Sequence, residues 1–177
     1  MRPLFVLTRE MERYGTARLV ERNRRFATQI NYEEGPVSQW PDVRWIWSEE
    51  SPLPDWPNAL GPYRLVSPRV REVLDAHLGP ADAVQWIPST VHHEKSGEDL
   101  EFWLLHFPIW FDVLHESTTW GPSGLPIRWI IDPAKLTGHR VVTVPQLIHP
   151  VIVDSEVLDA LHASGAYGFH VAHARVP

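Results

Sequence analysis

The sequence predicts an α+β fold in which two helices pack on a mixed or mostly antiparallel sheet of about seven short strands. Two stretches with helical spacing of apolar residues each begin at a polar cap and end at a glycine. Short runs rich in β-branched and aromatic residues surround them. The 177 residues include 17 prolines, which favour short elements joined by loops. We therefore expect one domain over 1–177, with a loop-rich part at 1–60 and an α+β core at 61–177.

The N-terminal part is rich in arginine over residues 1–30 and then becomes acidic over residues 33–55. Prolines recur from Pro36 to Pro62 and exclude long helices from this stretch. One short strand is expected in it, at Val43–Trp47.

The core is expected to hold both helices. The first begins at Ser67, with Pro68 in its first turn, and ends at Gly79. The second covers Ser155–Ala163, with Asp154 as its N-cap. A turn is expected at 95–97, and strands are expected at Tyr63–Val66, Ala83–Ile87, Glu101–Phe107, Ile127–Ile131, Arg140–Val144, Val151–Val153 and Gly168–Ala172.

The two helical stretches resemble each other in sequence. LVSPRVREVLDAHLG at 65–79 and IVDSEVLDALHASG at 152–165 share a strand, a polar cap, a Val-Leu-Asp-Ala segment and a final glycine. Two explanations of this similarity stay open: convergence of two unrelated segments on the same local structure, and duplication of one segment.

Composition excludes several classes of protein. The chain has no cysteine, so disulfide scaffolds, thiolate zinc sites, iron–sulfur clusters and cysteine nucleophiles are excluded. No apolar run is long enough to span a membrane, and the apolar stretch at 3–7 is too short for a signal peptide. The net charge of −6 argues against nucleic acid as the general partner. These features lead us to expect a cytoplasmic protein.

The histidines do not form a recognisable metal or catalytic motif. HExxH, Walker and G-x-S-x-G patterns are absent from the sequence. His106, Asp112 and His115 could meet in space, but their spacing does not fix a common geometry. We therefore expect no metal, no cofactor and no catalytic residue, and we expect Asp112 to organise a loop.

Residues 33–57 combine aromatic and acidic side chains in a way that is typical of a protein-binding surface. Tryptophan dominates the energetics of many interfaces, and acidic residues at the rim accelerate the capture of a basic partner. At least two of the four tryptophans are expected in the core, and the exposed ones are the binding candidates. The predicted partner-binding set is Trp40, Trp45, Trp47, Glu49, Glu50, Asp55 and Trp56.

Several short motifs resemble a family of bacterial immunity proteins from polymorphic toxin systems, which occur as large paralogous sets in myxobacteria. The motifs lie within residues 62–173, and the chain lacks the double Cys-x-x-Cys feature of many relatives. They are Leu-Val-Ser-Pro at 65–68, Val-Gln-Trp-Ile-Pro at 84–88, the aromatic strand at 102–106, Phe-Asp-Val-Leu-x-x-Ser at 111–117 and the segment at 151–160.

The resemblance implies a cytoplasmic, non-catalytic protein that binds and neutralises one cognate toxin domain, and an acidic surface would suit a basic, nuclease-like toxin. Two alternatives stay open. One is an adaptor or chaperone-like module for a secreted effector, and the other is a hydrolase built from His106, Asp112 and His115.

Overall fold

The computed structural model describes residues 2–10, 14–21, 24–61, 63–144, 147 and 150–177. Within them the α+β class is confirmed, but the expected numbers of elements are too low, because three α-helices and twelve strands are present. The helices are α1 (Arg24–Tyr32), α2 (Pro68–His77) and α3 (Ser155–Ala163). The strands are β1 (Leu4–Arg9), β2 (Thr16–Leu19), β3 (Arg44–Trp47), β4 (Asn58–Ala59), β5 (Leu65–Val66), β6 (Gln85–His93), β7 (Glu98–His106), β8 (Thr119–Trp120), β9 (Pro126–Arg128), β10 (Val141–Thr143), β11 (Val151–Asp154) and β12 (Phe169–His173).

The two predicted helices form where their caps place them. The Ser67 hydroxyl accepts a hydrogen bond from the Val70 backbone N–H at 3.4 Å, and Pro68 occupies the first turn of α2. The Asp154 carboxylate accepts a bond of 3.0 Å from the Val157 N–H at the start of α3. Both helix predictions are therefore confirmed, together with Asp154 as an N-cap.

The N-terminal part contains more regular structure than the loops expected at 1–60. Strands β1 to β4 and helix α1 all lie in it. Helix α1 buries only Phe26 and Ile30, which are four residues apart, so its apolar stripe is too short to stand out from an arginine-rich stretch. Strand β1 forms because of its tertiary contacts, since it pairs with β11 on one side and with β12 on the other.

The strands assemble into two larger sheets and one hairpin. The antiparallel four-stranded sheet has the order β10-β11-β1-β12, and the mixed six-stranded sheet has the order β4-β2-β3-β6-β7-β5. The predicted turn at 95–97 joins β6 to β7, and Gly97 adopts a φ of +74° there. Strands β6 and β7 have nine residues each, so they are longer than the predicted strands at 83–87 and 101–107.

The similarity between the two helical stretches extends to their topology. Strands β5 and β6 flank α2 in sequence and both pair antiparallel with β7, which lies between them. Strands β11 and β12 flank α3 and both pair antiparallel with β1. Each stretch is therefore a split β-α-β unit, and α2 packs directly against α3.

None of the helices in the described ranges is long and apolar enough to cross a membrane.

Candidate protein-binding surface

Three of the four tryptophans in the predicted binding set are core residues. Trp45 and Trp47 have no exposed surface, and Trp56 is only 2% exposed. The indole N–H of Trp45 donates to the Ser89 hydroxyl at 2.8 Å, so burial leaves this polar group satisfied. Trp56 packs edge-on against Phe169. The expectation that at least two of the four would lie in the core is confirmed.

Asp55 is also buried, and its partners are internal. Its carboxylate accepts hydrogen bonds from the Ser67 hydroxyl at 2.6 Å and from the Tyr167 backbone N–H at 3.3 Å. Arg69 completes the set with an ion pair at 3.2 Å. Asp55 therefore ties the start of α2 to the loop after α3, which is a structural role that sequence spacing does not indicate.

The exposed members of the set are Trp40, Glu49 and Glu50, and they lie at opposite ends of one strand. Trp40 precedes β3, whereas Glu49 and Glu50 follow it. The four residues of β3 span about 13 Å. The structure therefore does not bring Trp40 together with the two glutamates.

Trp40 instead borders a groove of about 510 Å³ on the outer face of the six-stranded sheet. Its floor comes from facing positions of β6 and β7, where Pro88 lies opposite Trp103 and Thr90 lies opposite Glu101. We call this concavity, lined by these five residues and their neighbours, the Trp40 groove. A second cleft of about 330 Å³ also has Trp40 in its lining, together with Phe26 and Gln29 of α1. Trp40 is 41% exposed and borders both concavities.

The floor of the Trp40 groove is exposed to solvent. Side chains alternate along β6 and β7, so every second residue faces outward, and α2 covers only one end of this outer face. Ile87, Val91 and Phe102 point inward and are buried. At the covered end, the guanidinium of Arg71 in α2 lies 3.7 Å from the ring centroid of Trp103. Past this contact, Trp103 and Glu101 face the groove.

The lining of the Trp40 groove has an excess of negative charge. Asp42, Asp99 and Glu101 contribute three carboxylates against the single guanidinium of Arg44, a balance of −2. Asp42 pairs with Arg44 at 2.7 Å and holds the pKa of that guanidinium above its usual value. Asp99 lies 2.8 Å from a ring nitrogen of His92. The Glu101 carboxylate has no hydrogen bond or ion pair with any residue that the structure describes.

Sequence reasoning missed Trp103 and Glu101. Both lie in the strand predicted at Glu101–Phe107, to which no binding role was assigned, and the signal that could have found them is its alternation. Buried Phe102 and Leu104 alternate there with Glu101 and Trp103, which places the latter two on the solvent side.

His106, Asp112 and His115 do not meet. His106 is buried, and its two ring nitrogens lie 3.0 Å from the carbonyl oxygens of Ile30 and Gly35. Burial lowers the pKa of His106, although the two carbonyl contacts oppose this shift. The described residues contain no group of three histidine or acidic side chains that could hold a metal ion.

Asp112 and His115 are each engaged locally. Asp112 pairs with Lys135 at 2.6 Å, and the hydrogen bond from this lysine lowers the pKa of the carboxyl. The Asp112 carboxylate also accepts a bond from the Leu114 backbone N–H, in line with the expected loop-organising role. His115 bonds the Ser117 hydroxyl at 2.7 Å.

A second exposed aromatic residue lies on the β8–β9 hairpin, apart from the residues that line the Trp40 groove. Trp120 in β8 is 51% exposed, close to the value for Trp40, and the neighbouring Ile127 of β9 is also exposed. The hairpin thus offers a matched tryptophan for comparison.

No protein-family model matches the chain, and a search of curated proteins finds no significant relative.

Proposed function

We propose that the protein is a cytoplasmic immunity protein that binds one cognate toxin domain and neutralises it without catalysis. The motifs at 62–173 support this proposal through their resemblance to immunity proteins of polymorphic toxin systems. The observation that carries it is the Trp40 groove, an open sheet face with an exposed tryptophan at its edge and an unpaired carboxylate on its floor.

A protein-binding role accounts for the chemistry of this surface better than an enzymatic role does. Tryptophan side chains provide large, stiff contact areas and are enriched among the residues that dominate binding. The groove lining includes carboxylates, but Asp42 and Asp99 are each paired with a neighbouring cationic or imidazole group. The three side chains that favoured a hydrolase are committed to separate partners.

The test uses the C-terminal domain encoded by the neighbouring gene. Wild-type protein should bind this domain in a calorimetric titration and should restore growth to cells that express it. Trp40→Ala should weaken binding by about 2 kcal/mol or more, which is about 30-fold in Kd, because a hot-spot tryptophan is lost. Circular dichroism should show an unchanged fold.

Trp120→Ala is the control, since it removes a tryptophan of similar exposure from the β8–β9 hairpin. It should leave Kd within about twofold of wild type. A loss confined to Trp120→Ala would place the binding surface on the hairpin. No binding by the wild type would refute the proposal, and binding without growth protection would favour an adaptor or chaperone-like role.

A further inference from the structure

We infer that the Trp40 groove receives a basic side chain, an arginine or a lysine, carried on an exposed segment of the partner protein. The inference rests on the proposed function in that it assumes a protein partner, and it adds the chemistry that the partner presents.

Charge is the first argument. The lining carries a balance of −2, and Glu101 is its one carboxylate without a described partner. A carboxylate on a sheet floor loses part of its hydration when a partner covers it, and a cation compensates this loss more strongly than a neutral hydrogen-bond donor does. An acidic segment would bring like charges together, which is unfavourable.

The second argument is the spacing of Glu101 and Trp103. They are two residues apart on the same face of β7, so their Cα atoms are separated by about 7 Å. A guanidinium or ammonium group between them can contact the carboxylate and the indole ring together. Cations bind tryptophan faces more strongly than other aromatic faces.

The protein already contains this arrangement once. The Arg71 guanidinium lies 3.7 Å from the Trp103 ring centroid and 3.5 Å from the Asp75 carboxylate. Arg71 and Asp75 thus compensate each other's charge at the covered end of β7, and Arg71 covers one face of the Trp103 ring, so an incoming cation would contact the ring edge or its other face. Glu101 extends the same combination of indole and carboxylate into the open part of the groove, where no described cation pairs with it.

The experiment titrates the 177-residue chain with a tetra-arginine peptide and follows the indole N–H signals by NMR. The signals of Trp40 and Trp103 should shift saturably at about 50 mM salt and much less at about 500 mM salt. The Trp120 signal serves as an internal reference. Tetra-glutamate should cause no saturable shift at any of the three.

Glu101→Gln keeps the shape of the side chain and removes its charge. It should weaken the tetra-arginine affinity by about threefold, the effect of losing one partly exposed ion pair. Glu116→Gln makes the same change at an exposed position outside the groove and should have no effect. Equal effects of the two variants, equal shifts at Trp120, or no shift at Trp40 and Trp103 would each overturn the inference.

A second arm separates this inference from the proposed function. If the neighbouring toxin domain binds in a Trp40-dependent manner but Glu101→Gln leaves its affinity unchanged, the groove is the binding surface and the basic-segment inference is wrong. If that domain does not bind at all, the proposed function fails, and the peptide titration alone decides the inference.

Discussion

The Asp82 side chain is the most densely bonded carboxylate in the described part of the chain, and its removal should destabilise the fold strongly. It has no exposed surface. It accepts hydrogen bonds from the backbone N–H groups of Gly79 at 2.7 Å, Arg140 at 3.0 Å and Val141 at 2.9 Å. A ring nitrogen of His139 lies 3.1 Å from its other oxygen. These bonds join the segment after α2 to the start of β10, and so link the first split β-α-β unit to the edge strand of the four-stranded sheet.

Asp82→Ala leaves three backbone N–H groups without their acceptor. A buried donor that loses its partner costs about 1–3 kcal/mol, so the free energy of unfolding should fall by about 4 kcal/mol. Asp82→Asn retains one acceptor oxygen and should lose about 2 kcal/mol. The measurement is urea denaturation followed by tryptophan fluorescence, with an unchanged slope against denaturant as the condition for comparison.

The control for this prediction is Asp112→Ala. Asp112 forms a short ion pair, 2.6 Å to Lys135, but its side chain is 77% exposed. An exposed ion pair contributes only about 0–1 kcal/mol. The reasoning that burial and backbone donors determine the effect is refuted if Asp82→Ala destabilises the protein no more than Asp112→Ala does.

Two further predictions concern stability. Because the pKa of His106 is lowered in the folded protein, the unfolded chain binds this proton more readily, and the free energy of unfolding should fall as pH drops through the unfolded pKa of about 6.5. For His106→Gln, the free energy of unfolding should depend less on pH between pH 7 and pH 5. A pH dependence identical to that of the wild type would contradict the shift. A methyl group at Gly168 would lie 2.6 Å from a carbon of Pro54, whereas one at Gly97 meets nothing within 4 Å. Both glycines have positive φ. In thermal melts, Gly97→Ala should therefore destabilise the protein by about 1 kcal/mol, and Gly168→Ala should destabilise it by clearly more. Equal effects of the two variants would argue against the close contact at Gly168.

The elements that could be predicted from the sequence are those specified by neighbouring residues. Helices α2 and α3 have an N-cap and an apolar stripe within one short window, and both form where they are predicted, although α2 ends at His77, two residues before Gly79. Strand β1 and helix α1 depend on distant partners, since β1 pairs with strands more than 140 residues away. Local reasoning had no signal for these pairings.

The candidate surface was less predictable, because composition does not indicate which side of a sheet a residue faces. Trp45 and Trp47 lie two apart on one strand and therefore share its buried face. Trp40 lies in the loop before the strand and stays exposed. The acidic and aromatic stretch at 33–57 thus supplies mainly core, and only its first tryptophan reaches the groove.

The location of the Trp40 groove follows from a difference between the two split β-α-β units in the length of the central strand. Helices α2 and α3, with ten and nine residues, cover about 15 Å and 14 Å of sheet. The central strand of the second unit, β1, has six residues and spans about 20 Å, so α3 and its flanking loops cover most of it. The central strand of the first unit, β7, has nine residues and spans about 30 Å. About half of β7 therefore extends past α2. Asp99 and Glu101 on this uncovered half face the groove, and Trp103 faces it from the edge of the part that α2 covers.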